Sequence, residues 1–420
     1  MSDKQIFAAL EVTDHEVRLI VGEFFNTRFN IIKVERVPCS GFRVDTVHDS
    51  EAVVKAIRKA AEDAEKMIGA KVEKVILGMP SNNMRRYSLK STVKIDGLNG
   101  EITVEDIRRA IRKAQTLNIG KGYALIQTVC VKYTVNGITS RRIPTGEKAE
   151  ELTVDIDLLC ADRKLSFDLV SCVEQAGLQV MDIYLNIFGV AKEAALFEQA
   201  VDQNVIILKV ERESTTLGLL SKGRLTSSVV EPVGVGTIAG RLVDEYGMKS
   251  ADAAELVKYS ARLDEKVYSS NPVYIWQTNE ETRQISEKDL VECVLPKVQE
   301  WIDTIGNLCQ PILQAAKTAV IITGEGGEMQ GLNTLLQRYL KCEVRNYIPE
   351  TLGGRNAGLS ACLGLFYAYK DKLPISGYTD NSLDMDSFIK SVSYREARAS
   401  GNQEDTITKK LKGILFDNKK

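Results

Sequence analysis

The sequence predicts a duplicated α/β fold with an inserted subdomain between the two copies and a polar C-terminal extension. Three observations carry that expectation. Residues 6–37, IFAALEVTDHEVRLIVGEFFNTRFNIIKVERV, and residues 205–233, VIILKVERESTTLGLLSKGRLTSSVVEPV, share one pattern. Each has an apolar strand, a short polar tip, a second apolar strand, a turn and a third strand. Each copy then leads into a helix-period stretch, 50–70 after the first and 236–247 after the second. Between the copies lies a segment with its own strands and helices. Two such halves predict a cleft between them.

Taken in order, the insertion opens on STVKIDG, residues 91–97, which reads as a strand. TVEDIRRAIRKAQTL, residues 103–117, reads as a helix with Thr103 as N-cap. Asp106 stands where a capping box prefers Glu or Gln. ALIQTVCVKYTVNG (124–137) and ELTVDIDLLCAD (151–162) are rich in β-branched residues and read as strands. KLSFDLVSCVEQAG (164–177) reads as a helix stopped by Gly177. After the second copy, LVECVLPKVQEWIDTIGNLCQPIL (290–313) has helical periodicity, with two prolines expected to start, kink or end it. TAVIITGEGGEMQGL (318–332) reads as strand, glycine turn and helix, and GGRNAGLSACLGLFYAY (353–369) as a small-residue helix suited to close packing.

Composition bounds the function. The chain has 420 residues, enough for two or more domains. Hydrophobic residues are 44% and charged residues 27%, ordinary for a soluble globular protein. A formal net charge of −2 gives no chain-wide attraction to nucleic acid, so no nucleic-acid partner is expected. No run approaches the ~18–20 apolar residues of a membrane span. MSDKQIFAALEV lacks a basic region before an apolar core, so no signal peptide is expected and the cytosol is the default compartment. The eight cysteines form no CxxC pair and read as buried reduced thiols. His15 and His48 are the only histidines, so neither a histidine triad nor a metal site is expected, and no catalytic residue is assigned.

Past Lys370 the character changes. Residues 374–405 are polar, broken and poor in periodic apolar residues, and read as a flexible linker with transient helix around 385–395. The chain ends in TITKKLKGILFDNKK, residues 406–420. Ile407, Leu411, Ile414 and Leu415 share one helical face, and Phe416 borders it. Lys409, Lys410 and Lys412 flank the stripe, with Lys419 and Lys420 beyond. That pattern predicts an interfacial helix on an anionic membrane; the plain alternative is a helix docked on the body or on a partner. Each apolar side chain is worth roughly 1.5–3 kcal/mol when fully buried. Each lysine near anionic lipid adds about 1 kcal/mol. A short helix recovers only part of this, so one copy binds weakly and stable attachment needs many copies on one object.

In the order and spacing of these segments, the chain resembles the FtsA family of bacterial cell-division proteins, of the actin/Hsp70/sugar-kinase superfamily. ALEVTDHEVRLIVGE sits where that family has its first phosphate loop, and residues 86–165 match its special inserted subdomain. VEPVGVGTIAGRLVDEYGMKSADAAELVKY (230–259) resembles the stretch after its second phosphate loop. VIITGEGGEMQGL resembles the adenosine loop and GGRNAGLSACLGLF the second connecting helix. The resemblance implies an actin-like duplicated α/β fold with an FtsA-type inserted subdomain and a C-terminal amphipathic helix. On that plan subdomain 1A is 1–85 with 166–200 and 356–372, and 1C is 86–165. Subdomain 2A is 201–245 with 307–355, and 2B is 246–306. The linker is 373–405 and the membrane-targeting helix 406–420.

The resemblance also implies a task. FtsA-type proteins tether FtsZ polymers to the cytoplasmic face of the cell membrane at the division site, self-assemble like actin and recruit other division proteins. The FtsZ C-terminal peptide docks on subdomain 2B, where TRQISEKDLVECVLPKVQE (282–300) resembles the docking region. Arg283, Lys288, Lys297 and Glu300 are the contacts this implies, and the same four also read as a solvated helix face.

The departures from the family pattern point another way. A phosphate loop of this kind uses an acid to place Mg²⁺ or water, then glycine and a hydroxyl so that amides reach the phosphates. In the first loop Glu11 keeps the acid, but Thr13 and Asp14 replace the glycine and hydroxyl. In the second, Lys209, Val210, Glu211, Arg212, Glu213 and Ser214 stand where Asp-hydrophobic-Gly-Gly-Gly-Thr is expected. In the adenosine loop Gly324 remains, Glu325 replaces the second glycine, and Gly326 and Gly327 follow. Unscreened carboxylates near a triphosphate cost several kcal/mol, and side chains block the amide approach. The expectation is a degenerate nucleotide cleft with no efficient ATPase activity; Lys209 or Arg212 could still contact a phosphate, which leaves ATP with Mg²⁺ open as a ligand. The same charged residues could instead neutralise one another across the cleft. The alternatives are a working ATPase of the superfamily and an adaptor of another membrane machine, resembling PilM.

Overall fold

The computed structural model describes residues 5–390 apart from 27, 45, 97–98, 278–280 and 378–379. The first half opens with β1 (Gln5–Val12), β2 (Glu16–Phe25) and β3 (Arg28–Pro38), then a two-strand clip of β4 (Phe42–Arg43) and β5 (Thr46–Val47). Helix α1 (Ser50–Ile68) and β6 (Lys74–Met79) follow. The insertion holds β7 (Arg85–Lys94), α2 (Val104–Gln115), β8 (Tyr123–Val135), β9 (Ile138–Ser140) and β10 (Glu151–Asp162). The chain returns through α3 (Arg163–Gln175), β11 (Gln179–Leu185), α4 (Asn186–Glu193) and α5 (Leu196–Gln199).

The second half repeats the opening with β12 (Asn204–Val210), β13 (Thr215–Ser221) and β14 (Arg224–Glu231). Helices α6 (Val235–Tyr246) and α7 (Ser250–Tyr259), the ribbon β15 (Pro272–Gln277) and β16 (Thr282–Ser286), and α8 (Glu287–Ala315) come next. Last are β17 (Thr318–Thr323), α9 (Leu332–Leu340), β18 (Glu343–Asn346) and α10 (Ser360–Ser376).

The duplication is plain in the sheets. One has the order β3-β2-β1-β6-β11 and the other β14-β13-β12-β17-β18. In each, three antiparallel strands are followed by two parallel ones. The turn at Lys222-Gly223 has φ of +54° and +71°, the mirror-image hairpin turn whose twist suits its strands. The insertion carries its own sheet, β7-β10-β8-β9, backed by α2. Its helix starts with a closed capping box, and aspartate serves: the Thr103 amide donates to Asp106 Oδ2 at 2.8 Å and the Asp106 amide to Thr103 Oγ1 at 3.4 Å.

Three hydrophobic clusters follow these units, one in each half and one in the insertion. The first reaches into the second half through Val205, Ile207, Leu220, Leu225 and Ile321. Helices α4 and α10, both packed in the first half's core, cross where Gly189 meets Gly364. The expected small-residue helix thus begins at Ser360, after a 3₁₀ turn at Ala357–Leu359. The two prolines of the long pattern neither start nor end it: α8 is one helix with Pro296 and Pro311 inside. All eight cysteines are free, six of them buried.

The expected linker at 373–405 needs correction over its described part. Helix α10 continues to Ser376, and Arg108 of the insertion donates to the Ile375 carbonyl at 2.7 Å and the Ser376 carbonyl at 2.9 Å. Residues 380–390 then pack on the first half. Strands β1 and β6 pair only from Ala9 and Ile76 onward, which leaves earlier amides without a ladder. The Ile6 amide donates to Asn381 Oδ1 and the Ala8 amide to Ser382 Oγ, both at 2.8 Å. The Glu73 amide donates to the Ser382 carbonyl at 2.8 Å. Buried amides need partners, and this polar stretch supplies them while Leu383 enters the core. A low count of periodic apolar residues hid that role. Residues 391–420, including the expected membrane helix, lie outside the described residues. No described helix is long and apolar enough to cross a membrane.

Candidate functional site

The two hairpin tips, β1–β2 and β12–β13, face each other across the junction of the halves, with the turn after β17 beside them. Strand pairing sets the inventory. Glu11 and Lys209 stand at the ends of β1 and β12, and Arg18 lies directly opposite Glu11 in the β1–β2 register. Glu16 and Arg18 share one side of β2, two residues apart.

These groups are buried: Arg18 is 0% exposed, Glu11 1%, Lys209 2%, and Glu211 and Glu325 4% each. The Lys209 ammonium lies 2.8 Å from Glu11 Oε1 and 2.6 Å from Glu211 Oε1, bridging the halves. The Arg18 guanidinium reaches Glu211 Oε2 at 2.7 Å, Glu16 Oε1 at 2.6 Å and Glu11 Oε2 at 3.5 Å. Arg36 closes on Glu16 at 2.7 Å. On the other side, Arg212 Nε donates to Glu325 Oε2 at 2.8 Å, and His15 Nε2 lies 3.0 Å from Glu325 Oε1. Lys258 Nζ stands 3.8 Å from the same carboxylate. The Asp14 carboxylate accepts the Glu213 amide at 2.8 Å and the Ser214 hydroxyl at 3.0 Å. At the rim Arg43 reaches Glu213 at 3.3 Å.

With His15 protonated, the carboxylates of Glu11, Asp14, Glu16, Glu211 and Glu325 meet the cations His15, Arg18, Arg36, Lys209, Arg212 and Lys258, the last of which is shared with Glu255 at the edge. Each buried charge has at least one opposite charge beside it, which is how so much charge stays buried. Burial alone would raise the Glu211 pKa, but Arg18 and Lys209 outweigh it and hold the carboxyl at about 2. Burial works against His15 charge, yet Asp14 and Glu325 raise that imidazole to about 9. Glu325 is held far below the usual carboxylate range, because His15 and Arg212 override its burial. Lys209 is raised by Glu11 and Glu211 against its burial.

All the residues of the expected cleft therefore lie at this junction. The Thr13 hydroxyl donates back to the Glu16 carbonyl at 2.9 Å within its own hairpin. Residues 325–328 form a 3₁₀ turn in which the Gly327 amide donates to the Gly324 carbonyl at 3.0 Å. Gly324 has φ +77°, and a Cβ there would come 2.4 Å from the Val210 carbonyl, so this loop presses on the second hairpin. Sequence reasoning missed Arg18, His15, Glu16, Arg36 and Lys258 as members. The available signal was the alternation Glu16, Arg18 opposite Glu11. No group of metal-ligating side chains occurs among the described residues.

The four residues expected to contact a peptide lie on the second half's outer unit. Arg283 is exposed on β16 and donates to the Tyr246 carbonyl at 3.3 Å. Lys288 is exposed at the start of α8, and Lys297 pairs with Glu300 one turn along it at 2.6 Å.

Comparison with known proteins aligns with this architecture. Residues 82–160 match the family described as an SHS2 domain inserted in FTSA. The cell division protein FtsA of Bacillus subtilis (strain 168) is 25% identical over 374 residues, covering 87% of this chain and 83% of that protein. Among solved structures, a PilM-PilN type IV pilus biogenesis complex superimposes with TM-score 0.55 at 14% identity, covering 86% of this chain and 98% of that one. MreB5 of Spiroplasma citri bound to ADP gives TM-score 0.53 at 12% identity, covering 89% and 99%. At such identities these two likenesses speak to the fold.

Proposed function

We propose that the chain is an actin-like cell-division scaffold of the FtsA type, which tethers FtsZ polymers to the cytoplasmic membrane and self-assembles. The observation that carries this reading is the insertion. A four-stranded subdomain hangs between β6 and α3 of an otherwise regular half, and its sequence matches the domain inserted in FTSA. Residues 406–420 act as the reversible lipid anchor, with an apolar stripe flanked by lysines. The exposed cations Arg283 and Lys288, with Lys297 beyond them, suit a peptide docked beside α8. Self-assembly supplies the multiplicity that one short helix needs to hold a membrane. Other division proteins use the remaining surface. The cleft serves architecture: its charges pair with each other, so the scaffold works with a degenerate nucleotide site and without efficient ATP hydrolysis.

One experiment separates the two attachments. A labelled FtsZ C-terminal peptide is sedimented with vesicles of phosphatidylcholine and phosphatidylglycerol in the presence of the chain. The full chain is expected to carry peptide into the pellet. A chain ending at residue 405 leaves both in the supernatant, whereas Arg283→Glu with Lys297→Glu leaves the chain on the vesicles and the peptide free. Pelleting of the truncated chain at the full-length level would sink the membrane assignment; peptide capture unchanged by the reversals would sink the docking face.

A further inference from the structure

The two hairpins aim backbone amides and charged tips into one space between the halves. That space is filled by the tips themselves. Asp14 projects from the first hairpin and its Oδ2 takes the Glu213 amide and the Ser214 hydroxyl of the second. A carboxylate accepting an amide at a hairpin tip does what a phosphate oxygen does there. Lys209 projects from the second hairpin and places its ammonium 2.8 Å from Glu11 and 2.6 Å from Glu211. A cation between two carboxylates, one from each half, does what a bound metal ion does in such a site. Both groups are more than nine-tenths buried, Asp14 at 8% and Lys209 at 2% exposed.

We infer that the cleft carries its own surrogate ligand, Asp14 in place of an anionic group and Lys209 in place of a bridging cation, which together hold the two halves closed without nucleotide. The inference rests on the actin-like fold and is independent of the division role. A second contact strengthens the closure at a distance from the tips. Arg224 of β14 lies 3.0 Å from Asp157 Oδ1 on β10 of the insertion, and Ser88 of β7 donates to the same oxygen at 2.6 Å. Ser228 of β14 also donates to the Ser81 carbonyl. The second half is therefore held by the first hairpin on one side and by the insertion and its entry on the other. The junction of the halves becomes a fixed joint here. Such a joint suits a scaffold whose contacts must persist while no ligand is bound.

The reporter is the Glu213 amide, whose acceptor lies across the cleft. Hydrogen exchange resolved to single amides is measured on the full chain without nucleotide. Glu213 is expected to be protected, and Lys209→Met and Asp14→Ala are each expected to speed its exchange about tenfold or more. The amides of residues 205–208 in β12 stay protected in both variants, which separates opening of the cleft from unfolding. Should Lys209→Met expose those strand amides too, Asp14→Ala, at the hairpin tip, still decides. An unprotected Glu213 amide in the wild-type chain would overturn the inference. So would unchanged exchange in Asp14→Ala, or protection that appears only when Mg²⁺ and ATP are added. None of these outcomes depends on vesicles or FtsZ peptide, so a failure here and a failure of the scaffold reading are distinguishable.

Discussion

Replacing Arg18 with methionine is expected to cost about 3–5 kcal/mol of stability, the penalty for stripping one partner from a buried ionic cluster. Arg18 is fully buried, and three carboxylates depend on it. Its Nη1 also donates to the Gly358 carbonyl at 2.5 Å, which ties the cluster to the segment entering α10. Methionine fills most of the volume but leaves Lys209 alone between Glu11 and Glu211, and Glu16 with Arg36 at 2.7 Å and His15 at 3.5 Å. Against a total stability of about 5–15 kcal/mol this is a large fraction. Urea unfolding at neutral pH measures it as a lowered midpoint. The pairing of charges predicts partial recovery in the double variant Arg18→Met/Glu211→Met, since removing both partners of a buried pair costs far less than removing one. The pH dependence has a definite sign. The Glu211 pKa is depressed to about 2 in the folded chain from an ordinary 4.5. Its contribution is full above that ordinary value and is lost as pH falls through the folded one. The gap between wild type and Arg18→Met should therefore shrink on acidification between those two values.

Gly364→Ala is expected to destabilise by about 3 kcal/mol, the upper part of the usual range for overpacking. A Cβ at Gly364 would lie 1.7 Å from the Gly189 carbonyl oxygen and 2.4 Å from its carbon. Both are backbone atoms of α4, so no rotamer change relieves the clash and the helices must separate. The reciprocal position agrees, because a Cβ at Gly189 would meet the Ala361 carbonyl at 2.5 Å. These helices carry the chain between the two halves, so a wider crossing disturbs the joint as well as the core. Gly240→Ala is the control. It sits in α6, where an added Cβ would meet nothing within 4 Å, and alanine there gains about 0.5–1 kcal/mol of helix preference. Thermal unfolding of the pair should show opposite shifts; a Gly364→Ala chain as stable as wild type would contradict the close crossing.

Much of this molecule is legible in its sequence because it is written in local patterns. The duplicated three-strand units, the helix with Thr103 at its cap and the strands at 124–137 and 151–162 follow from period and turn chemistry. The charged tips at Asp14 and 211–213 stand out because glycine is missing where backbone approach is needed. The members brought in by pairing are harder to see. Glu16 and Arg18 look like ordinary alternation on a strand, and only the register with β1 places Arg18 over Glu11. His15 has local partners in Asp14 and Glu16, but the carboxylate nearest to it, Glu325, arrives from 310 residues along the chain. The docking of 380–390 is hidden for a different reason. Its work is done by one asparagine, one serine and their backbone, bonded to amides that a diverging strand pair leaves open. Polarity marks such a stretch as a linker when burial of its backbone is decided elsewhere in the chain.

If the chain's own charges fill the cleft, nucleotide has no place in it. Equilibrium titration of ATP into the nucleotide-free full chain, with and without Mg²⁺, measures this. Heat or fluorescence at millimolar ATP should register no saturable binding in either condition, and the melting temperature should stay unchanged, since a ligand selective for the folded chain would raise it. Saturable binding at micromolar ATP, tightened by Mg²⁺ and raising the melting temperature, would contradict the self-filled cleft and return it to the nucleotide.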